Sequence, residues 1–274
     1  MEQFVRLGED LPKACRLGFA TRGNTHPEPE DLHLALERGV NYWNWCGRED
    51  GMSLAIRELG KHRSEVIIAT QSGTPDWSRD SLRRELDRQL KTLHVDNIDV
   101  LTLYYVESDD EWNQIVGVNG AMKALMEAKE QGLLKMIGLT SHQRPLAAKW
   151  LTEGHLDLLM IRYNAAHRGA ETEVFPETDR LEIPVVCFTC LRWGALLGKT
   201  PADPEHFQAP KAPEWYRFVL SNPSVGIALM APDSHVELLE NLTLLDNWKS
   251  MSKSKRETLI AHGERVKNYA GSFP

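Results

Sequence analysis

Segments typical of buried β-strands alternate with segments typical of amphipathic helices eight times along this chain, and this alternation constrains the fold most. The strand segments are short and nearly continuously apolar, as parallel strands covered on both faces are. In order they read ACRLGFAT, VNYWNWC, SEVIIAT, NIDVLTLYYV, LLKMIGLTS, DLLMIRYN, PVVCFTC and SVGIALMAP. Each is followed by a helix-like segment, such as EPEDLHLALERG after the first. We therefore predict a parallel sheet covered by helices.

The number of units favours a closed barrel over an open sheet. Eight strand–helix units in 274 residues match a (β/α)8 barrel, the TIM barrel. A glycine-rich GxGxxG does not follow the first strand segment, which argues against an open dinucleotide-binding sheet. Since we find no linker or composition break, we predict a single domain over 1–274. The segment FVRLGEDLPKACRL before the first strand predicts a short hairpin that plugs the bottom of the barrel.

Charge and hydropathy exclude several classes of partner. The net charge of −7 gives no attraction for nucleic acid or an anionic membrane, and no basic stripe offsets it. The sequence contains no apolar run of the roughly 18 residues that a membrane span requires. The first ten residues, MEQFVRLGED, are too polar for a signal peptide. Four cysteines are too few for a disulfide framework in a chain of this length, so we expect a cytoplasmic protein.

The cysteines and histidines do not predict a metal site. Cys187 and Cys190 form a CxxC pattern, but the pattern lies in an apolar, β-branched strand segment. Residues three apart on a strand point to opposite faces, so the two thiols should not share a ligand. The histidines without a partner at metal-ligand spacing are His26, His33, His94 and His155. We expect no bound metal.

Polar side chains gather where the strand segments end. In a closed barrel these ends meet at the carboxyl-terminal mouth, where the loops build the active site. The polar positions are 44–50, Gln71, Tyr104, Tyr105, 140–142, Arg162, Asn164 and 189–192. The stretch NYWNWCGREDG, residues 41–51, contributes the densest group. We therefore predict a pocket for a small-molecule substrate at this mouth.

Over nearly its whole length the chain resembles the aldo-keto reductase family. RLGFAT resembles the family's first strand, ALERGVNYWNW its "A…GvNyfDTA" stretch, and SEVIIATQ its "evviaTK". EAKEQGLLKMIGLTS is similar to "l…GkiraiGvSn", and IRYN to "veYN". VVCFTCLRWGALLGK is similar to "viaysPLgrGlL.gk", and SNPSVGIALMAPDSHVELLENL to the closing "np.v..ipG….eql.eNl". The resemblance implies a TIM barrel that reduces carbonyl groups with NAD(P)H.

The four catalytic positions of the family are all changed. The family uses a Tyr proton donor, tuned by a Lys, an Asp and a His. The Asp position holds Asn44, the Lys position Gln71 and the His position Tyr104, while the Tyr position falls at Glu49 or Asp50. Replacing the Lys and the Asp together removes a buried ion pair without leaving a lone charge. Two candidate proton donors remain. One is the carboxyl of Glu49 or Asp50, if burial raises its pKa, and the other is Tyr104 as a displaced phenol.

The positions that bind the cofactor in the family are better kept. Phe188 stands where the family places a ring against the nicotinamide, and Met160 replaces the family's carboxamide-binding Gln. The other matching positions are Thr140 and Ser141 for the carboxamide, Thr189, Leu191 and Gly194 for the pyrophosphate loop, and Glu240 and Asn241 for the adenine end. Asp233 aligns near the basic residue that meets the 2′-phosphate of NADPH, so NADH is favoured over NADPH.

Three functions remain open. The first is a divergent oxidoreductase of this type, with a nicotinamide cofactor, a rebuilt active site and little ordinary carbonyl reductase activity. The second is a catalytically silent binding or regulatory protein on the same scaffold. The third is a non-redox lyase or isomerase that uses the carboxyls and Tyr104. Fold alone does not choose among them.

Overall fold

The computed structural model describes residues 1–271 and contains ten strands and eleven α-helices in that part of the chain. The strands are β1 Phe4–Val5, β2 Ala14–Cys15, β3 Leu17–Ala20, β4 Tyr42–Asn44, β5 Ile67–Ser72, β6 Ile98–Leu103, β7 Leu134–Ser141, β8 Leu158–Arg162, β9 Val185–Phe188 and β10 Ile227–Met230. The helices are α1 Pro29–Glu37, α2 Gly51–Glu58, α3 Arg79–Leu93, α4 Asp109–Val116, α5 Ala121–Glu130, α6 Arg144–Leu151, α7 Ala170–Glu173, α8 Phe175–Arg180, α9 Ala212–Leu220, α10 His235–Asp246 and α11 Lys253–Tyr269. Two 3₁₀ turns, Gly60–Glu65 and Ala195–Leu197, complete the regular structure of the described residues.

Eight parallel strands close into a barrel in the order β10-β3-β4-β5-β6-β7-β8-β9. Closure is made by β10, which pairs with β3 on one side and with β9 on the other. The helices lie outside and pack against the outward-facing side chains of the strands through one large apolar cluster. The predicted (β/α)8 barrel is confirmed.

Side chains alternate between the inside of the barrel and the helix layer, as the two-residue period of a strand requires. On β4, Tyr42 belongs to the inner cluster and Trp43 to the outer one. The inner residues Tyr42, Val100, Leu158 and Val186 are all fully buried, so the barrel below the mouth is packed rather than hollow. Space for chemistry therefore remains at the mouth.

The N-terminal hairpin closes the bottom of the barrel, as predicted. β1 and β2 pair antiparallel, with Phe4 opposite Cys15. Leu7 and Leu11 in the connecting loop join the apolar cluster inside the barrel and are almost fully buried. Covering this end leaves the opposite end, where the strands terminate, as the open one.

The expectation of one helix after each strand is wrong at two places. After β6 the chain forms α4 and then α5, separated at Gly120, where a Cβ would lie 2.1 Å from the carbonyl oxygen of Gln114. After β8 the helix divides into α7 and α8 at Val174, whose φ of −133° is not helical, just before Pro176. Both breaks depend on local backbone geometry, which the spacing of apolar residues does not reveal.

Candidate active site

The inward-pointing residues at the carboxyl ends of the strands form a layer across the mouth. Strand register brings them together: Asn44 and Gln71 lie two positions apart on the same face of adjacent strands, because Asn44 pairs with Ala69. Arg162 pairs directly with Phe188. The members of the layer are Asn44 on β4, Gln71 on β5, Thr102 on β6, Thr140 on β7, Arg162 on β8 and Phe188 on β9.

Several polar atoms in and beside this layer are buried without a hydrogen-bond partner. They include Oδ1 of Asn44 and Oγ1 of Thr140, both in residues only 1% exposed. Oγ1 of Thr189, at the end of β9, is a third. Among the described residues nothing satisfies these atoms, and a buried polar group without a partner costs about 1–3 kcal/mol. They therefore indicate a place where water or a ligand completes the bonding.

The loop that follows β4 engages both candidate carboxyls in bonds of its own. Glu49 is exposed and its Oε1 accepts a hydrogen bond from Nη2 of Arg57 at 2.5 Å. Asp50 caps α2: its Oδ1 accepts from the backbone N–H of Ser53 at 2.9 Å, and the Ser53 hydroxyl accepts from the backbone N–H of Asp50. These contacts stabilise the helix end. Both residues line a groove of about 490 Å³ between this loop and the loop after β3.

Two tyrosines follow β6 and begin an aromatic cluster at the mouth. The rings of Tyr104 and Tyr105 lie 4.0 Å apart, and Tyr105 stacks on His142 at 4.2 Å. The ring of Phe188 lies 6.4 Å from both Tyr105 and His142. Tyr105 has a φ of +55°, a conformation that is rare for a bulky residue and concentrated at functional sites. We call Tyr104, Tyr105, His142 and Phe188 the aromatic cluster.

The neighbouring Tyr104 also affects the acidity of the Tyr105 phenol. Burial first, and then the Tyr104 side chain, raise the pKa of the Tyr105 phenol well above its ordinary value, while the charge of Arg162 opposes them. Tyr105 thus keeps its proton at neutral pH, and Tyr104 is the more exposed of the two. Of these two residues, only Tyr104 was a catalytic candidate from the sequence.

His142 is positioned by Glu107, which the sequence did not single out. The backbone N–H of His142 donates to Oε1 of Glu107 at 2.9 Å, and its ring Nδ1 lies 3.2 Å from the same oxygen. Burial lowers the pKa of the imidazole; Glu107 raises it and Arg162 lowers it further. The ring is therefore mainly neutral near pH 7.

The loop after β9 adopts an unusual backbone conformation. Thr189, Arg192, Trp193 and Gly194 all have positive φ, with values of 50°, 49°, 51° and 85°. The carbonyl oxygen of Thr189 accepts a bond from Nδ2 of Asn164 at 2.9 Å, and that of Leu191 accepts from the N–H of Gly194. These bonds fix the loop before any ligand arrives.

Ser141 ends β7, which is separated from β9 by β8 in the barrel, and is fully buried. Its hydroxyl oxygen accepts a bond from the backbone N–H of Gln143 at 3.0 Å. The same oxygen retains a hydrogen that it can donate. Ser141 is thus oriented by its own turn and still able to bond a second group.

Cationic side chains gather where β8 and β9 end. Arg192 donates from Nε to Nε2 of His167 at 3.2 Å. Burial lowers the pKa of His167 to about 4, helped by the charges of Arg162, Arg192, Lys267 and Arg144. We call Arg162, His167 and Arg192 the cation cluster. The sequence placed the two arginines at strand ends but assigned no role to any of the three.

β10 is the neighbour of β9 in the barrel, and α10, which follows β10, begins beside several carboxylates. Asp233 forms an ion pair with Nη2 of Arg22 at 2.9 Å, and its backbone N–H donates to Glu237. Ser234 caps the helix. Further along α10, Glu240 pairs with Lys211 at 2.6 Å, and its neighbour, Asn241, is buried.

The described residues contain no group of three His, Cys, Asp or Glu side chains that could hold a metal ion. Cys187 and Cys190 are both buried, and burial raises the pKa of each thiol, to about 12 for Cys190. In the part of the chain that the structure covers, no helix combines the length and apolarity needed to cross a bilayer.

A family model and several known proteins match this chain. The model of the aldo/keto reductase family matches residues 21–261. Methylglyoxal reductase DkgB of Escherichia coli O157:H7 is 35% identical over 121 residues, which cover 43% of this chain and 44% of that protein. The chain thus spans less than half the length of the first curated relatives it matches. L-galactose dehydrogenase of Arabidopsis thaliana is 24% identical over 297 aligned positions, covering 92% of this chain and 91% of that one.

Solved structures show the same fold at lower identity. The holo form of aldo-keto reductase AKR11C1 from Bacillus halodurans superposes with a TM-score of 0.75 at 18% identity, covering 95% of this chain and 96% of that one. An aldo/keto reductase from Klebsiella pneumoniae, in complex with NADP and acetate, gives a TM-score of 0.77 at 16% identity, covering 96% of each.

Proposed function

The chain belongs to the aldo/keto reductase family, and from this premise we propose that it is a nicotinamide-dependent oxidoreductase with a rebuilt proton-donating site. One observation carries the proposal. The cofactor positions of the family keep suitable groups at Phe188 for the nicotinamide, Thr140 for its carboxamide and Thr189 for the pyrophosphate, whereas neutral Asn44 and Gln71 stand at the positions of the charged pair that tunes the proton donor. The kept half of the site supports binding of a dinucleotide, and the changed half supports a different source for the proton.

The residues present fit a dinucleotide at most of these positions. The buried hydroxyls of Thr140 and Thr189 lack partners among the described residues and can hydrogen-bond an amide or a phosphate oxygen. Phe188 offers a ring face, and the fixed loop through Leu191 to Gly194 provides the curved backbone for the pyrophosphate.

The two ends of the cofactor would meet further residues of this chain. Ser141, with a hydroxyl hydrogen to donate, completes the carboxamide end, and Glu240 and Asn241 on α10 complete the adenine end. Met160, which pairs with Thr140 in register, cannot replace the amide bond of the family's Gln. The carboxamide is therefore held by hydroxyl groups alone.

When bound, the nicotinamide cofactor supplies or accepts the hydride. We assign the proton to Tyr104. Of the three candidates, Glu49 is paired with Arg57 and Asp50 caps a helix, while the phenol of Tyr104 lies at the mouth against Tyr105. Once Tyr104 gives up its proton, the Tyr105 hydroxyl can donate to the resulting phenolate. This neutral donor takes over part of the role of the family's ammonium group.

The substitutions also predict weak activity on ordinary aldehydes. Neutral side chains at Asn44 and Gln71 provide no charge to lower the pKa of a phenol. Catalytic groups act as a unit, so that losing one alone can cost several orders of magnitude in rate. The substrate is a small carbonyl compound or alcohol that fits the rebuilt mouth, rather than a general aldehyde.

We further propose that NADH binds as well as or better than NADPH. Asp233 already forms an ion pair with the guanidinium of Arg22, and the carboxylate of Glu237 lies beside Asp233 at the start of α10. The local charge is therefore net negative, which disfavours an additional phosphate. The effect is small because Arg22 and Asp233 are both partly exposed, with 36% and 56% of their side chains accessible.

Calorimetric titration of the purified protein with NADH and NADPH tests the function. We expect at least one of them to bind, and Phe188→Ala to weaken binding about tenfold through the lost stacking surface. Phe4→Ala is the matched control, because Phe4 is an exposed ring on the N-terminal hairpin, at the other end of the barrel. The absence of a heat signal from either cofactor would refute the proposal and favour a silent binding protein.

A further inference from the structure

The imidazole of His142 is the one titratable group of the aromatic cluster that the proposed function leaves without a role. His142 directly follows β7, which pairs with β6, and its ring stacks on Tyr105 with 4.2 Å between the centroids. The side chain is 20% exposed, so part of the ring is open at the mouth. A base at this place is within reach of a small ligand bound there.

The contact with Glu107 favours one tautomer of the imidazole. Nδ1 of His142 lies 3.2 Å from Oε1 of Glu107. A hydrogen on Nδ1 is attracted to the carboxylate, whereas an electron pair on that nitrogen would be repelled by it. The hydrogen of the neutral ring is therefore on Nδ1, and the other nitrogen, Nε2, has a free electron pair.

The two residues are held in place by contacts between neighbouring strand ends. Oε1 of Glu107 also accepts the backbone N–H of His142 at 2.9 Å, and the N–H of Glu107 donates to Oε2 of Glu111 at 2.7 Å. The N–H of Val106 donates to the carbonyl oxygen of Thr140 at 3.1 Å, which extends the pairing of β6 and β7 towards this site. The base is thus oriented before any ligand arrives.

Nε2 of His142 remains accessible in this arrangement. Within the described part of the chain it has no hydrogen-bond partner, and it is not one of the buried polar atoms, so solvent reaches it. Tyr105 covers a face of the ring and Glu107 lies at the Nδ1 edge, and neither blocks Nε2. A proton acceptor that is oriented, accessible and unpartnered is what a general base requires.

Tyr105 supplies the second group that removal of a proton next to a carbonyl needs. Burial raises the pKa of its phenol well above the ordinary value, so Tyr105 remains a hydrogen-bond donor near pH 7. Burial lowers the pKa of the His142 imidazole, Glu107 raises it and the charge of Arg162 lowers it further. Neighbouring groups whose pKa values are moved apart in this way divide into a donor and a base.

We propose that the His142–Glu107 pair enolises small aldehydes and ketones that have a hydrogen on the carbon next to the carbonyl. Nε2 of His142 takes this hydrogen as a proton. The electrons of the broken C–H bond form a C=C bond, and the π electrons of the carbonyl move to its oxygen. The enolate oxygen accepts a hydrogen bond from the Tyr105 hydroxyl, which keeps its proton. Return of a proton from His142 to carbon completes the cycle without oxidation or reduction.

Hydrogen–deuterium exchange measures this step directly. Hydroxyacetone has exchangeable hydrogens on both carbons next to its ketone, and proton NMR in D₂O follows the loss of their signals. We use the full-length protein without cofactor and subtract the exchange in buffer alone. Exchange should be about 10²-fold slower with His142→Asn than with the wild type, as expected for loss of a positioned base. The asparagine amide can still donate to Glu107, so this variant removes the base and preserves a donor.

Two further variants separate loss of chemistry from loss of structure. Tyr105→Phe keeps the ring and removes the hydroxyl, and should slow the exchange about 10²-fold. His155→Asn is the matched control, because His155 also lies beside an aromatic ring, that of Trp112, but precedes β8 at the other end of the strands. It should exchange hydroxyacetone as the wild type does. Wild-type exchange no faster than that of His142→Asn, or an equal loss in His155→Asn, would overturn the inference.

The pH profile of the exchange tests the positioning role of Glu107. Exchange should rise with pH through the pKa of His142 and level off once the ring is neutral. The carboxylate raises that pKa, so Glu107→Gln should move the rise to lower pH. The other groups that face the imidazole, Arg162 and Tyr105, keep their charge states over this range. A lower rate with an unmoved profile would refute the role assigned to Glu107.

The enolisation goes beyond the proposed oxidoreductase function and fails separately from it. The exchange measurement contains no nicotinamide, so failure of NADH and NADPH to bind leaves its outcome intact. Conversely, cofactor binding without exchange of hydroxyacetone refutes only the enolisation.

Discussion

Glu49, just before α2, pairs with Arg57 in the last turn of that helix, with 2.5 Å between Oε1 and Nη2. This contact directs the carboxylate along the helix surface rather than over the mouth of the barrel. Tyr104, by contrast, lies at the mouth and contacts the second tyrosine. The two residues are alternative proton donors by sequence, and their surroundings now distinguish them.

Replacing Tyr104 and Glu49 in turn tests this distinction. We expect Tyr104→Phe to lower kcat about 10²- to 10⁴-fold, the usual contribution of a positioned acid. Glu49→Gln should change it less than about twofold and stability by less than about 1 kcal/mol, because the carboxylate is largely exposed. Steady-state rates with the preferred cofactor decide between them. A larger loss of kcat in Glu49→Gln than in Tyr104→Phe would assign the proton donation to the Glu49 carboxyl instead.

The fold was predictable because its signals are repetitive and local. Every barrel strand lies in a largely apolar run, and the number of runs matches the closed barrel. The extra helix α4 was missed, although Ser108 and Glu111 show the spacing of a helix cap and Ser108 does accept from the N–H of Glu111.

Asn44 and Gln71 provide a second test, because the proposed function assigns them to the positions of a charged pair on adjacent strands. Asn44→Asp alone places a carboxylate at a position 1% exposed, which should destabilise the protein by about 3–5 kcal/mol. Adding Gln71→Lys should recover much of that loss. Denaturant unfolding of the wild type, both single variants and the double variant measures the coupling. Additive effects would show that the two side chains do not interact.

The site was only partly predictable from sequence. Strand ends were located correctly because a barrel brings them to one mouth, so Asn44, Gln71 and Thr140 follow from the fold. The direction of a loop side chain has no such periodicity. Whether Glu49 faces the mouth or its arginine, and whether Glu107 reaches the histidine after β7, depends on contacts between residues 8 and 35 positions apart.

A buried ion cluster outside the mouth predicts how stability depends on pH. Burial alone would raise the pKa of Asp203, but hydrogen bonds from His262, Thr200 and Arg265 outweigh it and hold the pKa well below the ordinary value. A depressed pKa contributes stability that is present above the unfolded value of about 3.9 and is lost as pH falls towards the folded one.

We therefore expect the free energy of unfolding to fall below about pH 4, and to fall less steeply in Asp203→Asn. At pH 7 this variant should be less stable by about 3 kcal/mol, because it leaves buried His262 and the neighbouring arginine without their anion. Thermal unfolding from pH 7 to pH 3 measures both effects. Parallel curves for the two proteins would rule out Asp203 as the titrating group.

Cofactor preference offers the last test, at the pair formed by Asp233 and Arg22. Removing the carboxylate with Asp233→Ala releases the guanidinium of Arg22, which then becomes available to a 2′-phosphate. Exposed ion pairs contribute about 0.2–1 kcal/mol, so the ratio of NADPH to NADH affinity should rise about two- to fivefold. Asp246→Ala serves as the control, since Asp246 also pairs with an arginine, Arg38, but lies at the opposite end of α10. Calorimetry at low and high salt should show the gain shrinking as salt screens the charges. An unchanged ratio in Asp233→Ala would mean that another group recognises this end of the cofactor.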